Sequence, residues 1–155
     1  MTFLKNRWIL FSMLLASWAL IASFFAGYYW LQYSDIVNRI GGIPIYANFG
    51  VDYGNNTRLW NNNTKTLTGV TLFKATRSLW NMTYETGSGF GVYVSSINGV
   101  ASNSTHGWVW WKWDTLTNNW AFIGISADAY AVADNETLLW YYENPGSSWP
   151  PPPPP

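Results

Sequence analysis

The side chains with the most chemical reach in this 155-residue chain are few. His106 is the one histidine, and cysteine is absent. A metal centre of imidazoles and thiolates therefore has one donor at most, and neither a cysteine nucleophile nor a disulfide can form. His106 falls in a polar stretch and reads as a solvated loop side chain. The carboxylates Asp114, Asp128, Asp134, Glu136 and Glu143 are scattered over turns and strand ends. Paired acid–base work needs two carboxyls held several ångströms apart across a cleft, and nothing in their spacing imposes that. The sequence thus nominates no catalytic residue, no metal ligand and no cofactor, and the expectation is that the protein is not an enzyme.

Aromatic rings are abundant instead. Of 12 tryptophans, four lie in Gly107-Trp-Val-Trp-Trp-Lys-Trp113. On a strand, Trp108, Trp110 and Lys112 share one face while Val109, Trp111 and Trp113 share the other. Lys112 assigns the first set to solvent, so Trp108, Trp110 and Lys112 are the candidate contact face for a ligand or partner. Stacking on sugar rings or planar ligands is the chemistry such a face offers. The competing reading is that most of these rings fill the core of a small domain.

Asn-x-Ser/Thr occurs at Asn55, Asn62, Asn81, Asn103 and Asn135, all on predicted loops or element ends. Five acceptors downstream of one apolar segment make N-linked glycans an expected partner, where the host has the pathway. The alternative is that these are ordinary turn asparagines. Charged residues are 10% of the chain against 19% aromatic, and eight basic residues balance eight acidic ones. Nucleic-acid binding is not expected from that balance. A chain so poor in charge relies on a membrane, sugars or a partner for solubility.

The elements that must carry these residues begin with a membrane helix. After Lys5 and Arg7 no charge appears until Asp35, and Trp8 to Trp30 is almost wholly apolar. About 23 residues rising about 1.5 Å each span roughly 35 Å, enough for a hydrocarbon core of about 30 Å. A cleaved signal peptide has a shorter apolar core and a small-x-small site. Here Ala22 and Ala26 each follow a bulky residue two places earlier, Leu20 and Phe24, so retention as an anchor is expected. A pilin leader needs a small residue at its processing site, which Asn6-Arg7-Trp8 lacks. Lys5 and Arg7 place the N-terminus in the cytoplasm, and Trp8 at one end with Tyr28, Tyr29, Trp30 and Tyr33 at the other resemble interfacial belts. The expected order is a cytoplasmic stub (1–7), a membrane helix (8–33), a helix end and linker (34–44), an extracellular domain (45–143) and a proline-rich tail (144–155).

In the domain, Ile45 to Tyr53 reads as a strand, Gly54-Asn55-Asn56 as a turn and Thr57 to Trp60 as the return strand, with Asn61 to Lys65 a polar loop. Leu72, Ala75 and Leu79 then take helical spacing behind a Thr71 cap. So short a helix must lie on a sheet. That sheet is expected to hold Phe90 to Ile97, Trp108 to Trp113, Trp120 to Ile125 and Thr137 to Tyr142. The fold class is α+β, a mixed sheet with one packed helix in a small roll. The six prolines after Trp149 form a polyproline II rod that serves as a spacer or docks in an aromatic groove, its own or a partner's.

Five stretches together carry a resemblance: Val51-Asp-Tyr-Gly-Asn55, Thr71-Leu-Phe-Lys-Ala-Thr76, Gly91-Val-Tyr-Val-Ser-Ser-Ile-Asn-Gly-Val100, Trp108-Val-Trp-Trp111 and Tyr130-Ala-Val-Ala-Asp-Asn-Glu-Thr-Leu-Leu-Trp140. Over Ile45 to Tyr142 the chain resembles the transcobalamin C-terminal-like domain family, a β-grasp-type group seen in cobalamin carriers and in microbial surface proteins. It departs at Lys112-Trp-Asp-Thr115, where the family turns on Asn-Gly, and at Asp134-Asn-Glu136, where Asp-Gly-Asp is common. Cobalamin binding is not implied, because in the carriers a second, helical domain holds most of the ligand, and it has no counterpart here. The resemblance implies a non-catalytic, membrane-anchored surface module, with an archaeal host. The alternative is an accessory or structural subunit of a larger membrane, envelope or filament assembly, meeting its partner through the aromatic face or the proline tail.

Overall fold

The structure, a computed structural model, describes residues 2–87, 91–144, 146 and 150–155; Phe90 and Trp149 lie outside them. The chain divides into two units, Met1–Gly42 and Ile43–Pro155. The first is the helix α1, Thr2–Ile40. Within it Arg7–Val37 contains an 18-residue stretch of mean hydropathy 2.1, none of it buried, and is long and apolar enough to cross a membrane. The hydroxyls of Ser12 and Ser17 donate to the carbonyls of Trp8 and Met13 one turn earlier, each at 2.9 Å. These two hydroxyls are thereby satisfied within the helix, as a lipid surround demands. Gly41 and Gly42, at φ 68° and 135°, end the helix in conformations that a side chain would resist.

The second unit is α+β. Its elements are β1 (Pro44–Asp52), β2 (Arg58–Leu67), α2 (Leu72–Arg77), β3 (Met82–Gly87), β4 (Gly91–Ile97), β5 (Val100–Ala101), β6 (Gly107–Asp114), β7 (Asn119–Ala121) and β8 (Thr137–Glu143). The expected single sheet is two. One has the order β2-β1-β8-β6-β7, and the other has β3-β4-β5. β1 pairs antiparallel with β2 and parallel with β8, which makes the larger sheet mixed. The Asn98-Gly99 turn, at φ 49° and 85°, sends β4 back on itself as β5, so β4 never joins β6. Asn61 to Lys65 is strand, not loop. β2 is an edge with one neighbour, where polar side chains face water at no cost and discourage further pairing. Of Trp120 to Ile125, only the beginning is strand.

α2 begins at Thr71, whose hydroxyl accepts from Lys74 N, and it buries Leu72, Phe73, Ala75 and Thr76; Leu79 lies past its end. These residues pack with Phe49 and Val51 of β1, Leu138 and Trp140 of β8, and Val94 and Ile97 of β4 in one core between the two sheets. Inside it the Trp140 indole donates to Thr76 Oγ1 at 3.2 Å, and that hydroxyl donates to Leu72 O at 2.8 Å.

The far face of the larger sheet is roofed as well. β2 and β7 are its opposite edges, four strand spacings of about 4.8 Å apart, or about 19 Å across. Yet the rings of Trp60 and Trp120 stack with centroids 6.4 Å apart and an interplanar angle of 15°. Both reach inward over the sheet. Trp60 lies directly over Gly50, where an added Cβ would stand 2.7 Å from both Trp60 Cζ3 and Leu139 Cδ1. Trp113 meets Trp120 edge-on at 5.2 Å, and Phe122 meets Trp111 at 5.8 Å. Beneath this roof Trp111, Leu139 and Glu143 are buried.

Candidate functional site: a cleft between the two sheets

The expected outward face is corrected by the structure. Trp108 and Trp110 are 5% and 7% exposed and belong to the central core. Their indoles donate inward to backbone, Trp108 to Val100 O at 3.0 Å and Trp110 to Ile125 O at 2.8 Å. Tyr53 and Tyr142 pack on Trp108, and Tyr130 on Trp110.

Lys112 shares their face, its partly exposed side chain turned to a carboxylate. Its ammonium reaches Glu136 Oε1 at 2.5 Å and Tyr130 Oη at 3.3 Å. The Glu136 hydrogen bond holds the Lys112 pKa above its ordinary value. Burial pushes Glu136 up, but the Ala133 N–H, Lys112 and Tyr130 outweigh it and hold the carboxyl below its ordinary value. Tyr130 is raised, first by burial and then by donating to Glu136. This trio ties β6 to the loop before β8, and none of its members lines the cleft.

Trp108 and Trp110 do border open space, at the base of a cleft of about 510 Å³. Val92, Tyr93 and Val94 of β4 form one wall, the 124–127 turn the opposite one, and Asn103 to His106 one end. The walls are pinned to each other. Asp128 accepts from Val92 N at 3.0 Å and from the Ser126 hydroxyl. The Ser126 hydroxyl and then the Val92 N–H hold the Asp128 carboxyl below its ordinary value. At the end, Asn103 Oδ1 accepts from Thr105 N, Thr105 Oγ1 and His106 N within 2.9 Å, while its Nδ2 donates to Tyr142 Oη at 3.1 Å. His106 stacks on Tyr142 at 5.5 Å and meets Thr105 Oγ1 at 2.9 Å, an ordered side chain instead of a free one.

Sequence reasoning missed the two large hydrophobic side chains that the cleft exposes, Tyr93 at 51% and Ile125 at 46% exposure. Among the described residues no three His, Asp or Glu side chains gather as a metal group. The five sequon asparagines are all exposed. Asn62 lies within β2, not on a loop. Asn55 and Asn103 each accept from the backbone N–H of the threonine two residues on, and Asn135 donates to Asp134.

No curated protein matches the chain. Solved structures share its fold, two of them as follows. Haptocorrin, in complex with Cbi, aligns over 66% of this chain and 25% of its own, at TM-score 0.56 and 18% identity. The chain thus spans about a quarter of haptocorrin's length. A candidate metal-binding protein from Ruminococcus gnavus aligns over 64% of this chain and 97% of its own, at TM-score 0.51 and 16% identity. At these identities the likeness is one of fold, and it is the fold that the transcobalamin-like resemblance implies. Residues 69–144, which contain both cleft walls, the end loop and the tryptophan base, match the family described as Domain of unknown function (DUF4430).

Proposed function

We propose that this protein is a non-catalytic binding module on a single membrane-spanning helix, with the 43–155 unit outside the cell and an uncharged, ring-bearing ligand held in the cleft. The lining of the cleft carries the reading. Its size falls within the about 300–1,000 Å³ typical of small-molecule sites. Among the described residues no lysine, arginine, aspartate or glutamate lines it, and aromatic surface from Tyr93, Trp108, Trp110 and Phe122 does. Such walls take the flat face of a sugar or heterocycle and give a formal charge nothing to pair with. Lys5 and Arg7 beside the apolar helix support a cytoplasmic N-terminus. Exposure of Asn55, Asn62, Asn81, Asn103 and Asn135 supports N-glycosylation, although Asn103 must first release Tyr142. The sequon density and plain anchor fit an archaeal host.

The test is a fluorescence titration of the full chain in detergent with neutral oligosaccharides, neutral heterocycles and their carboxylated counterparts. Saturable binding of a neutral probe is expected, weakened at least tenfold by Ile125→Arg and unchanged by Asn62→Gln. Equal binding of charged and neutral probes, or none at all, overturns the ligand assignment. An intact mass unmoved by glycosidase overturns the glycan assignment.

A further inference from the structure

A polyproline II helix has three residues per turn, so every third proline lies on one ridge, and its carbonyls have no internal partner. In Pro150 to Pro155, Pro151 and Pro154 are buried while Pro150, Pro152, Pro153 and Pro155 are exposed. That is a threefold period, one ridge seated and two in water. Pro152 and Pro153 share a cavity with Tyr53, Tyr141 and Tyr142. Pro155 shares a second one with Asp52, Arg58 and Tyr141, so Tyr141 borders both.

Arg58 Nη2 also donates to Pro155 O at 3.1 Å, which ties down the far end of the run. The guanidinium is held for that purpose by Asp52, which accepts from Arg58 Nε at 2.7 Å and from Gly54 N at 2.9 Å. An aromatic floor and a ridge seated every third residue are the parts from which polyproline recognition is built, and the oriented guanidinium adds a polar clamp at the end of the run. Only His106 is shared with the cleft.

We propose that the Tyr141 face is a polyproline-binding groove, and that the chain's own prolines occupy it in cis as a plug. The partner class it fits is a proline-rich segment in polyproline II form, with proline at every third position. Such a segment gains the groove only by displacing the plug, whose tethering gives it a local concentration of the order of millimolar. This inference is independent of the cleft and its ligand.

The experiment measures anisotropy of a fluorescein-labelled decaproline peptide with the full chain. Pro151→Asp with Pro154→Asp unseats the ridge and should tighten peptide binding at least tenfold over the unsubstituted chain. Pro150→Asp alters an exposed position that borders neither cavity and should leave it unchanged. In the unseated background, Tyr141→Ala and, separately, Arg58→Gln should each remove the gain, with thermal melts showing that the variants fold. No gain on unseating, a gain that survives both groove substitutions, or a dimer that unseating dissolves would each overturn a cis-occupied groove.

Discussion

Replacing Glu143 with glutamine should stabilise the 43–155 unit above pH 7 and leave its stability unchanged near pH 4. Glu143 is 5% exposed at the end of β8. Burial pushes its carboxyl up to about 7 from an ordinary 4.5, against the opposing hydrogen bond from the Trp111 indole. A folded-state value above the unfolded one means that the folded protein still holds a proton that the unfolded chain has released. Stability must then fall as pH rises through that interval and level off above it. At about 1.4 kcal/mol per unit, the loss has an upper figure of about 3–4 kcal/mol.

Glutamine keeps an oxygen for the indole and has no charge to desolvate, so the variant lacks this decline. Glu136 and Asp128 are displaced downward, and they give the opposite slope. Their contribution is present above their unfolded values and lost as pH falls through their folded ones, in both proteins. Urea melts at pH 4, 6 and 8 separate the two limbs. A variant whose midpoint tracks the unsubstituted chain across this range would show that Glu143 is ionised and solvated in the fold.

The second large effect is expected at Trp111. Truncation to alanine should cost about 3–5 kcal/mol, the range for emptying a large buried aromatic site. Trp111 is 2% exposed, under the roof of Trp60, Trp113 and Trp120. It is also the donor to Glu143 Oε1, at 3.1 Å. Trp111→Phe keeps most of the ring and loses the donor, for about 1–3 kcal/mol, the usual penalty for stranding a buried polar partner. The phenylalanine variant should show a steeper fall with pH, because nothing then favours ionised Glu143. Combining it with Glu143→Gln should recover part of the loss, as residues in contact are not additive. Chemical denaturation that found Trp111→Ala within 1 kcal/mol of the original would mean that this face of the sheet is open to water.

Those two residues show where the sequence was readable and where it was not. α1, β1, β4 and β8 announce themselves by apolar runs, α2 by spacing behind Thr71, and the β4–β5 turn by Asn98-Gly99. β3 does not, because an edge strand that buries only Met82 carries no apolar pattern. Strand β6 is recognisable, but its orientation is ambiguous in principle. Tryptophans occupy both faces, and both faces are covered. Only Lys112 broke the symmetry, and it misled, because a lysine stem can lie along apolar surface while its ammonium reaches a carboxylate 24 positions on. Glu143 read as a strand-end carboxylate for a similar reason: its burial depends on an indole 32 positions away. The cleft was half legible. Trp108 and Trp110 were nominated and do border it, but as its base. Its accessible rim, Tyr93 and Ile125, depends on how two sheets face each other, which no local pattern encodes.

The parallel pairing of β1 with β8 also sets how the unit answers to force. Five register pairs join them, from Asn48 with Thr137 to Asp52 with Tyr141. The chain enters β1 at Pro44 and leaves β8 after Glu143, at opposite ends of that pair. Tension between residues 43 and 144 therefore loads these rungs in shear, and they must give way together. The antiparallel pair β6 and β8, with Gly107 opposite Glu143, would instead peel rung by rung if pulled from those two residues. In single-molecule pulling the first geometry should rupture at clearly higher force than the second, and equal forces would contradict it. A domain strung between an anchored helix and a tail held by something else would resist along this axis best.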